Sequence, residues 1–447
     1  MKGNRNILIA VLAACMVYGL CACNASPSTD ISANADTSTM AAASVAPEDK
    51  AGEEKVLRVA GESWQVSKIY LEDAAKAFMA EHPNVKVEVI TYADQSVLST
   101  YSLDWGNGST DVDLVFLDGI AYAQQFAAKN LIYDYETDLN FFDTYDASLF
   151  SPGVVDFGRI GENLYLMPII YEVYGVDINL KMFREAGLVD AQGNPLVPET
   201  WEDFYEFARK LTIRDESGNI IQQGASINWG SNMIGVVSSA LAAQNGHIIG
   251  EDGVSMDFDN DGFREILNVW KKGVKDGCFS IETFADTSAG RNNYKAGNVA
   301  MIFESASRWI EASEMLGMEN VSVLPSPGLK GTTGNTNGVV IPKCSPNADL
   351  AIQFIREQLL GEHVQTSTLN VYGKLPVVAE YYAMADSPVW NNLDVQMDNI
   401  LPFPAYEEIG RFKDEMINII QAGLTDDNIT ADDIIGQLDS MMDTIRK

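Results

Sequence analysis

The sequence predicts an α/β protein of two lobes, each a mainly parallel sheet flanked by helices, with a hinge between. Three observations carry this. The folded part opens strand, amphipathic helix, strand, an order that closes as a parallel sheet through a right-handed crossover. The 447 residues, 46% hydrophobic and 21% charged, suffice for more than one large core. Residues 164–211 run from strand through a tight turn into two helices around a loop. The expected division gives lobe one residues 56–168 and 339–385, and lobe two residues 169–338 and 386–447. The chain crosses near residues 168–172 and again near 332–340.

Before these lobes come a leader and a tether. Lys2 and Arg5 precede an apolar run, residues 7–20, that is too short to span a bilayer. It ends in Leu20-Cys21-Ala22-Cys23, which looks like a bacterial lipobox. Residues 1–22 are thus expected to be a lipoprotein signal peptide. Cys23 becomes the first mature residue, its thiol carrying a diacylglycerol and its chains of the palmitate type. The alternative is an ordinary signal peptide cut nearby, with Cys23 incidental. Two acyl chains anchor stably where one does not. Residues 23–55 are rich in Ser, Thr, Ala, Asp and Glu and cannot bury a core, so they read as a flexible tether. The formal charge of −33 excludes a nucleic-acid backbone as partner and argues against adhesion to an anionic surface. Cys278 and Cys344 remain, either as a disulfide or as free thiols.

Residues 56–60 (VLRVA) form the first strand, followed by a turn at Gly61-Glu62-Ser63-Trp64. Leu71, Ala74, Ala75, Phe78 and Met79 mark a helix face that ends before Pro83, and residues 85–90 are the next strand. Another strand, 112–117, leads through Asp118-Gly119 into a helix. Residues 164–167 are a short apolar run ended by Pro168, and the β-branched stretch 169–178 is a buried strand. Asn179 caps a helix that stops at Gly187, and Thr200 caps a second. That second helix carries Trp201, Phe204, Tyr205, Phe207, Ala208 and Leu211 on one side.

A strand at 225–229 leads to a helix at 234–245 and an Asn245-Gly246 turn. The motif DFDNDG at 257–262 resembles the start of a calcium loop, but its twelfth position is Asn268 rather than a bidentate Glu. It reads instead as an acidic helix N-terminus. Residues 294–303 end a helix and emerge as a strand delivering Glu304-Ser305, and 321–324 follow as a further strand. The glycine-rich stretch 328–338 lacks the Gly-Lys-Ser/Thr ending of a phosphate loop and is expected to be a mobile connection between lobes. A strand at 338–342, an amphipathic helix at 348–360 and a last helix after Thr430 complete the chain.

Across this frame run Pro168 and Glu172, then Asn179, Phe183 and Ala186-Gly187-Leu188, then Pro198, Thr200, Trp201 and Phe204, then Ala208 and Leu211. This order, with 294–303 and the Gly-x-x-Pro of Gly373 and Pro376, resembles the extracellular solute-binding proteins of ABC importers, in particular their carbohydrate-binding group. The resemblance implies a type II periplasmic-binding-protein-like fold. It implies a monomer on the extracytoplasmic face of the cell membrane, lipid-anchored, that captures a sugar or oligosaccharide between its lobes and delivers it to permease transmembrane subunits. No cofactor, metal or catalysis is expected.

In open parallel sheets, ligands sit beyond the carboxyl ends of the strands. The candidates there are Ser63 and Trp64, Asp118 and Tyr122, Tyr171 and Glu172, Trp229, and Glu304, Ser305 and Trp309, with Asn335 and Asn337 from the glycine-rich stretch. Aromatic rings for sugar C–H faces and carboxylates or amides for hydroxyls suit a carbohydrate. The resemblance places Glu172 as an acidic residue beside the hinge, and Asp118 and Trp229 near sugar-contacting positions. Trp105, Trp201 and Trp270 read as packing residues. Glu304-Ser305 stand where the best-known relatives have Gly-Pro-Trp, which leaves the sugar open. Rival solutes are a polyamine, ferric iron or a phosphate ester; the last two would want clustered Tyr with His, or Arg. For a glycosidase, a carboxylate pair carries no information among 63 acidic residues. His82, His247 and His363 are scattered, and no G-x-S-x-G elbow occurs.

Overall fold

The structure is a computed structural model and describes residues 54–382, 384, 388–404 and 409–445. The expected leader, Cys23 and the tether up to residue 53 lie outside these. Strand β1 (Lys55–Glu62) pairs in parallel with β2 (Val85–Tyr92) and β3 (Leu114–Asp118). It starts inside the expected tether and takes in the first half of the expected turn, because Gly61 and Glu62 keep pairing with Thr91 and Tyr92, while Ser63 and Trp64 open a short helix. The intervening helix, Leu71–Glu81, buries Leu71, Ala74, Ala75 and Phe78, much of its predicted face.

The centre of the fold is β4 (Met167–Asn179), whose side chains are buried throughout except at Glu172. Beside it lie β5 (Ile220–Ile227), β6 (Val299–Ser305), β7 (Val321–Leu324) and β8 (Thr332–Val340), and the sheet runs β2-β1-β3-β8-β4-β6-β5. The outer pairs β1–β2, β1–β3 and β5–β6 are parallel, whereas β3–β8, β8–β4 and β4–β6 are antiparallel, so the sheet is mixed. Residues 167–173 of β4 pair with β8, and 174–178 pair with β6. Its first half packs with Leu57, Leu114 and Phe116, and its second with Trp201, Trp229 and Trp270. One strand thus serves both cores. Pro168, expected to end a run, lies within it. It has no N–H to give, and the register with β8 slips opposite it, between Asn337 and Gly338.

The glycine-rich stretch is not a mobile connection: most of it is β8, buried along nearly its whole length. Its glycines answer to crowding. A Cβ on Gly334 would stand 2.7 Å from the Phe157 ring, and one on Gly338 would stand 2.5 Å from the Met167 carbonyl.

Local signals elsewhere held. The Asn179 side chain accepts from the Met182 amide, Thr200 and Asp203 form a reciprocal capping box, and Gly246 is left-handed at a helix end. In the DFDNDG motif Asn260 caps the helix Asp261–Lys275, and the Arg264 guanidinium pairs with Asp259, Asp261 and Asp432. A cation from the chain itself lies among the acids. Helices Ile409–Thr425 and Ala431–Ile445 add Phe412, Ile420, Ile434 and Leu438 to the second core. Cys278 and Cys344 are free thiols set against different cores, and burial pushes the Cys278 thiol up to about 11.

Gly224 on β5 touches the helix Trp201–Leu211, where an added Cβ would overlap the Ala208 carbonyl oxygen. Gly224→Ala should therefore destabilise the fold by about 3 kcal/mol through overpacking. Urea unfolding checks this, and an unchanged midpoint would show that the helix lifts freely.

Candidate functional site

Asp118 closes β3 and lies opposite Asn337 of β8, whose amide donates to its Oδ1 at 2.6 Å. Two residues along β8, Asn335 lies opposite Glu172 of β4, and Ser305 of β6 lies opposite Tyr174. Paired residues of adjacent strands share a face, as do residues two apart. Asp118, Asn337, Asn335, Glu172 and Ser305 therefore form one polar row across both halves of the sheet. The Ser305 hydroxyl ties it together by donating to Glu172 Oε2 at 2.5 Å.

Two groups border the row. Lys374 leads into the short strand Leu375–Pro376, which pairs with Tyr171 and Ile170 and brings its ammonium onto Glu172. The same ammonium lies 5.3 Å from the Tyr372 ring centre, and that ring is 6.2 Å from Trp64. Trp64 donates its indole N–H to Glu62, which also accepts from the Gln95 amide at 2.7 Å. On the opposite face of β6 from Ser305, buried Glu304 accepts from Arg291 at 2.7 Å, from Arg308, and from the Asn228 amide at 2.8 Å.

Burial drives the electrostatics. It pushes the Lys374 amine down to about 8, against the pull of Asp118. It pushes Glu62 up, opposed by the Gln95 and Trp64 hydrogen bonds. It would raise Glu304 too, but Arg291, Arg308 and Asn228 outweigh it and hold that carboxyl below its usual range.

A hollow of about 360 Å³ is lined by Ile120, Phe157, Arg159, Ile249, Val254 and Phe403, and no residue of the row lines it. Gly119 stands in the chain between Asp118 of the row and Ile120 of the hollow. Its φ is 102°, and a Cβ there would come 2.8 Å from Asn335 Oδ1.

Of the predicted residues, Trp64, Asp118, Glu172, Ser305, Asn335 and Asn337 fall in this region, whereas Glu304 faces the other side of β6 from Ser305. Three rings offer no stacking face. Tyr171 points to the opposite side from Glu172 and packs against Phe157 at 5.8 Å. Trp229 is fully buried, 4.8 Å from Trp270, because β5 ends at Ile227 and the chain turns inward. Trp309 packs on Trp390 at 5.7 Å. Tyr122 is partly buried, its phenol pushed up to about 12 by burial with Asp118 and Glu62 nearby. The histidines do have acidic neighbours: His82 bonds Glu357 beside Glu81, and His247 bonds Asp257, each pair at 2.6 Å. Sequence reasoning missed Glu62, Asn228, Arg291, Arg308, Tyr372 and Lys374. Only Lys374 carried a signal, standing inside the Gly-x-x-Pro segment.

Residues 73–397 match the family of bacterial extracellular solute-binding proteins. The chain belongs to that family. One curated relative, an uncharacterized ABC transporter extracellular-binding protein of Pyrococcus horikoshii, is 24% identical over 157 residues. The chain spans only 34% of that relative's length. Among solved structures, the sugar-binding protein MalE of Xanthomonas citri superposes with a TM-score of 0.73 at 18% identity, over 88% of this chain and 97% of that one. Maltose-bound MalE3 of T. maritima gives 0.71 at 18%, over 87% and 99%. A solute-binding protein of Thermotoga lettingae bound with α-D-tagatose gives 0.71 at 18%, over 88% and 100%. These likenesses show the two-lobed fold. No helix of this solute-binding protein is long and apolar enough to cross a membrane among the described residues.

Proposed function

We propose that this solute-binding protein is the lipid-anchored receptor of an ABC importer, tethered through Cys23 on the extracytoplasmic face of the membrane. It takes a sugar or oligosaccharide between its lobes and, as a monomer, hands it to the permease. The observation that carries this reading is the polar row, which runs over the shared strand from Asp118 to Ser305 with Trp64 at its border. Hydroxyls that bridge the row would gain partners from both halves at once. That differential contact favours a closed state over an open one. Residues 56–168 with 339–385 and residues 169–338 with 386–447 would move as the two bodies, hinged on β4 and β8. Relatives named as sugar-binding, or solved with maltose or tagatose, support a carbohydrate over other polar solutes.

A thermal-shift screen of the full chain against mono- and oligosaccharides, polyamines and ferric iron tests this. A true ligand at 100 times its Kd stabilises by about 2.7 kcal/mol. A sugar should raise Tm, and Asp118→Ala, at an exposed position, should weaken the response. A shift with polyamine or iron alone would sink the carbohydrate reading.

A further inference from the structure

We infer that the chain holds a divalent transition metal such as zinc on Glu81, His82 and Glu357, at a site separate from the polar row. One imidazole nitrogen and two carboxylate oxygens lie within 4.8 Å of one another there. His82 follows the helix Leu71–Glu81 and stands just before β2, whereas Asp118 of the row lies where β3 ends. The parallel strands therefore separate the two places. Glu357 arrives from a part of the chain 275 residues further on, just after Phe354. The buried Phe78 and Phe354 rings meet at 5.3 Å, and Phe78 also lies 4.3 Å from the His82 ring. Core packing thus fixes both elements, and the imidazole with them.

Glu357 Oε2 lies 2.6 Å from His82 Nε2, and the Gln353 amide donates to Glu357 Oε1 at 2.8 Å. An outer amide of this kind orients a ligating carboxylate. Among the described residues no Lys or Arg pairs with Glu81 or Glu357. Arg356 turns away, donating to the Phe141 carbonyl and lying 4.6 Å from that ring's centre. The DFDNDG motif is the contrast, since Arg264 already fills the space among its acids. His247 pairs with Asp257, but no third ligand completes a group there among the described residues. Tetrahedral zinc ligands at about 2.0–2.2 Å from the metal stand roughly 3.4 Å apart. Each atom of the group would shift by less than about 1 Å to reach that spacing, within reach of a glutamate rotation. An imidazole suits zinc, whereas magnesium and calcium take six or more oxygens. Water would fill the fourth position.

The test is calorimetric titration of the chelator-stripped full chain with zinc chloride, with magnesium and calcium chloride for comparison, alongside melting curves. A single equivalent of zinc should bind and raise Tm, because the metal favours the folded chain. Magnesium and calcium should bind far more weakly. His82→Gln should abolish the zinc equivalent, and His82→Cys, which restores a zinc ligand, should recover part of it. Glu81→Gln should weaken binding roughly tenfold or more, since even outer partners are worth that much. His247→Gln should leave it intact. Absent zinc binding, unchanged binding in His82→Gln, or its loss in His247→Gln would overturn the inference. Calcium or magnesium binding as tight as zinc would overturn it too. The sugar screen above is read without zinc, so a failure here leaves that reading standing.

Discussion

Glu304→Ala should destabilise the protein by about 3–5 kcal/mol, the usual result of removing one member of a buried ion pair. Glu304 is 1% exposed, and the change would leave Arg308 enclosed with only a distant acid. Urea unfolding reads the loss directly. Glu304→Gln separates charge from size. A loss close to that of alanine would assign the effect to the unmatched guanidinium charges, and near-native stability would assign it to hydrogen-bond geometry. The sign with pH follows from the depressed carboxyl. Its stabilisation is fully present above the ordinary glutamate pKa and is lost as pH falls through the lower folded value. In native protein this contribution fades in acid, and in Glu304→Gln that part of the acid response should vanish.

The second large effect belongs to Lys374 and Glu172. Glu172→Gln should cost about 3–5 kcal/mol, since it leaves buried Lys374 unmatched, and Lys374→Met should cost less, since the Glu172 it leaves is partly exposed. The double variant should recover much of the loss, giving a coupling of about 0.5–3 kcal/mol. Additive losses would show that the two do not act as a pair. Lys374 also sets an alkaline signature. With its amine pushed down to about 8, the folded chain releases a proton that the unfolded chain keeps until about 10.4. Stability should then rise with pH across that window, by at most about 1.4 kcal/mol per unit, and the rise should flatten in Lys374→Met. Beyond it the sign reverses. The phenols of Tyr101 and Tyr122, each pushed up to about 12 by burial first of all, withdraw their stabilisation as pH climbs through those values.

What the sequence revealed was whatever neighbouring residues decide. Caps at Asn179 and Thr200 are local chemistry, and the helix carrying Trp201 shows its buried side through spacing alone. β8 was hidden because its composition is that of a loop, while the need for glycine there comes from Phe157 and Met167, far away in the chain. Trp229 misled for a related reason. An aromatic just past a strand suits either a ligand or a core, and only the position of Trp270 decides. Arg291, Arg308 and Lys374 gave little warning, since each becomes meaningful only beside a carboxylate brought in by another element.

The pairing of β3 with β8 sets a timetable for synthesis. Asn337 follows Asp118 by 219 residues. At about 5–20 residues per second, the ribosome needs roughly 10–45 s between one strand and its neighbour. Until then β1, β2 and β3 have an open edge, and the first core lacks the wall that β4 and β8 provide. The amino-terminal third therefore stays unfinished while the rest is being made. In a member of an extracellular solute-binding family, a chain slow to close stays longer in a form that a narrow channel would admit.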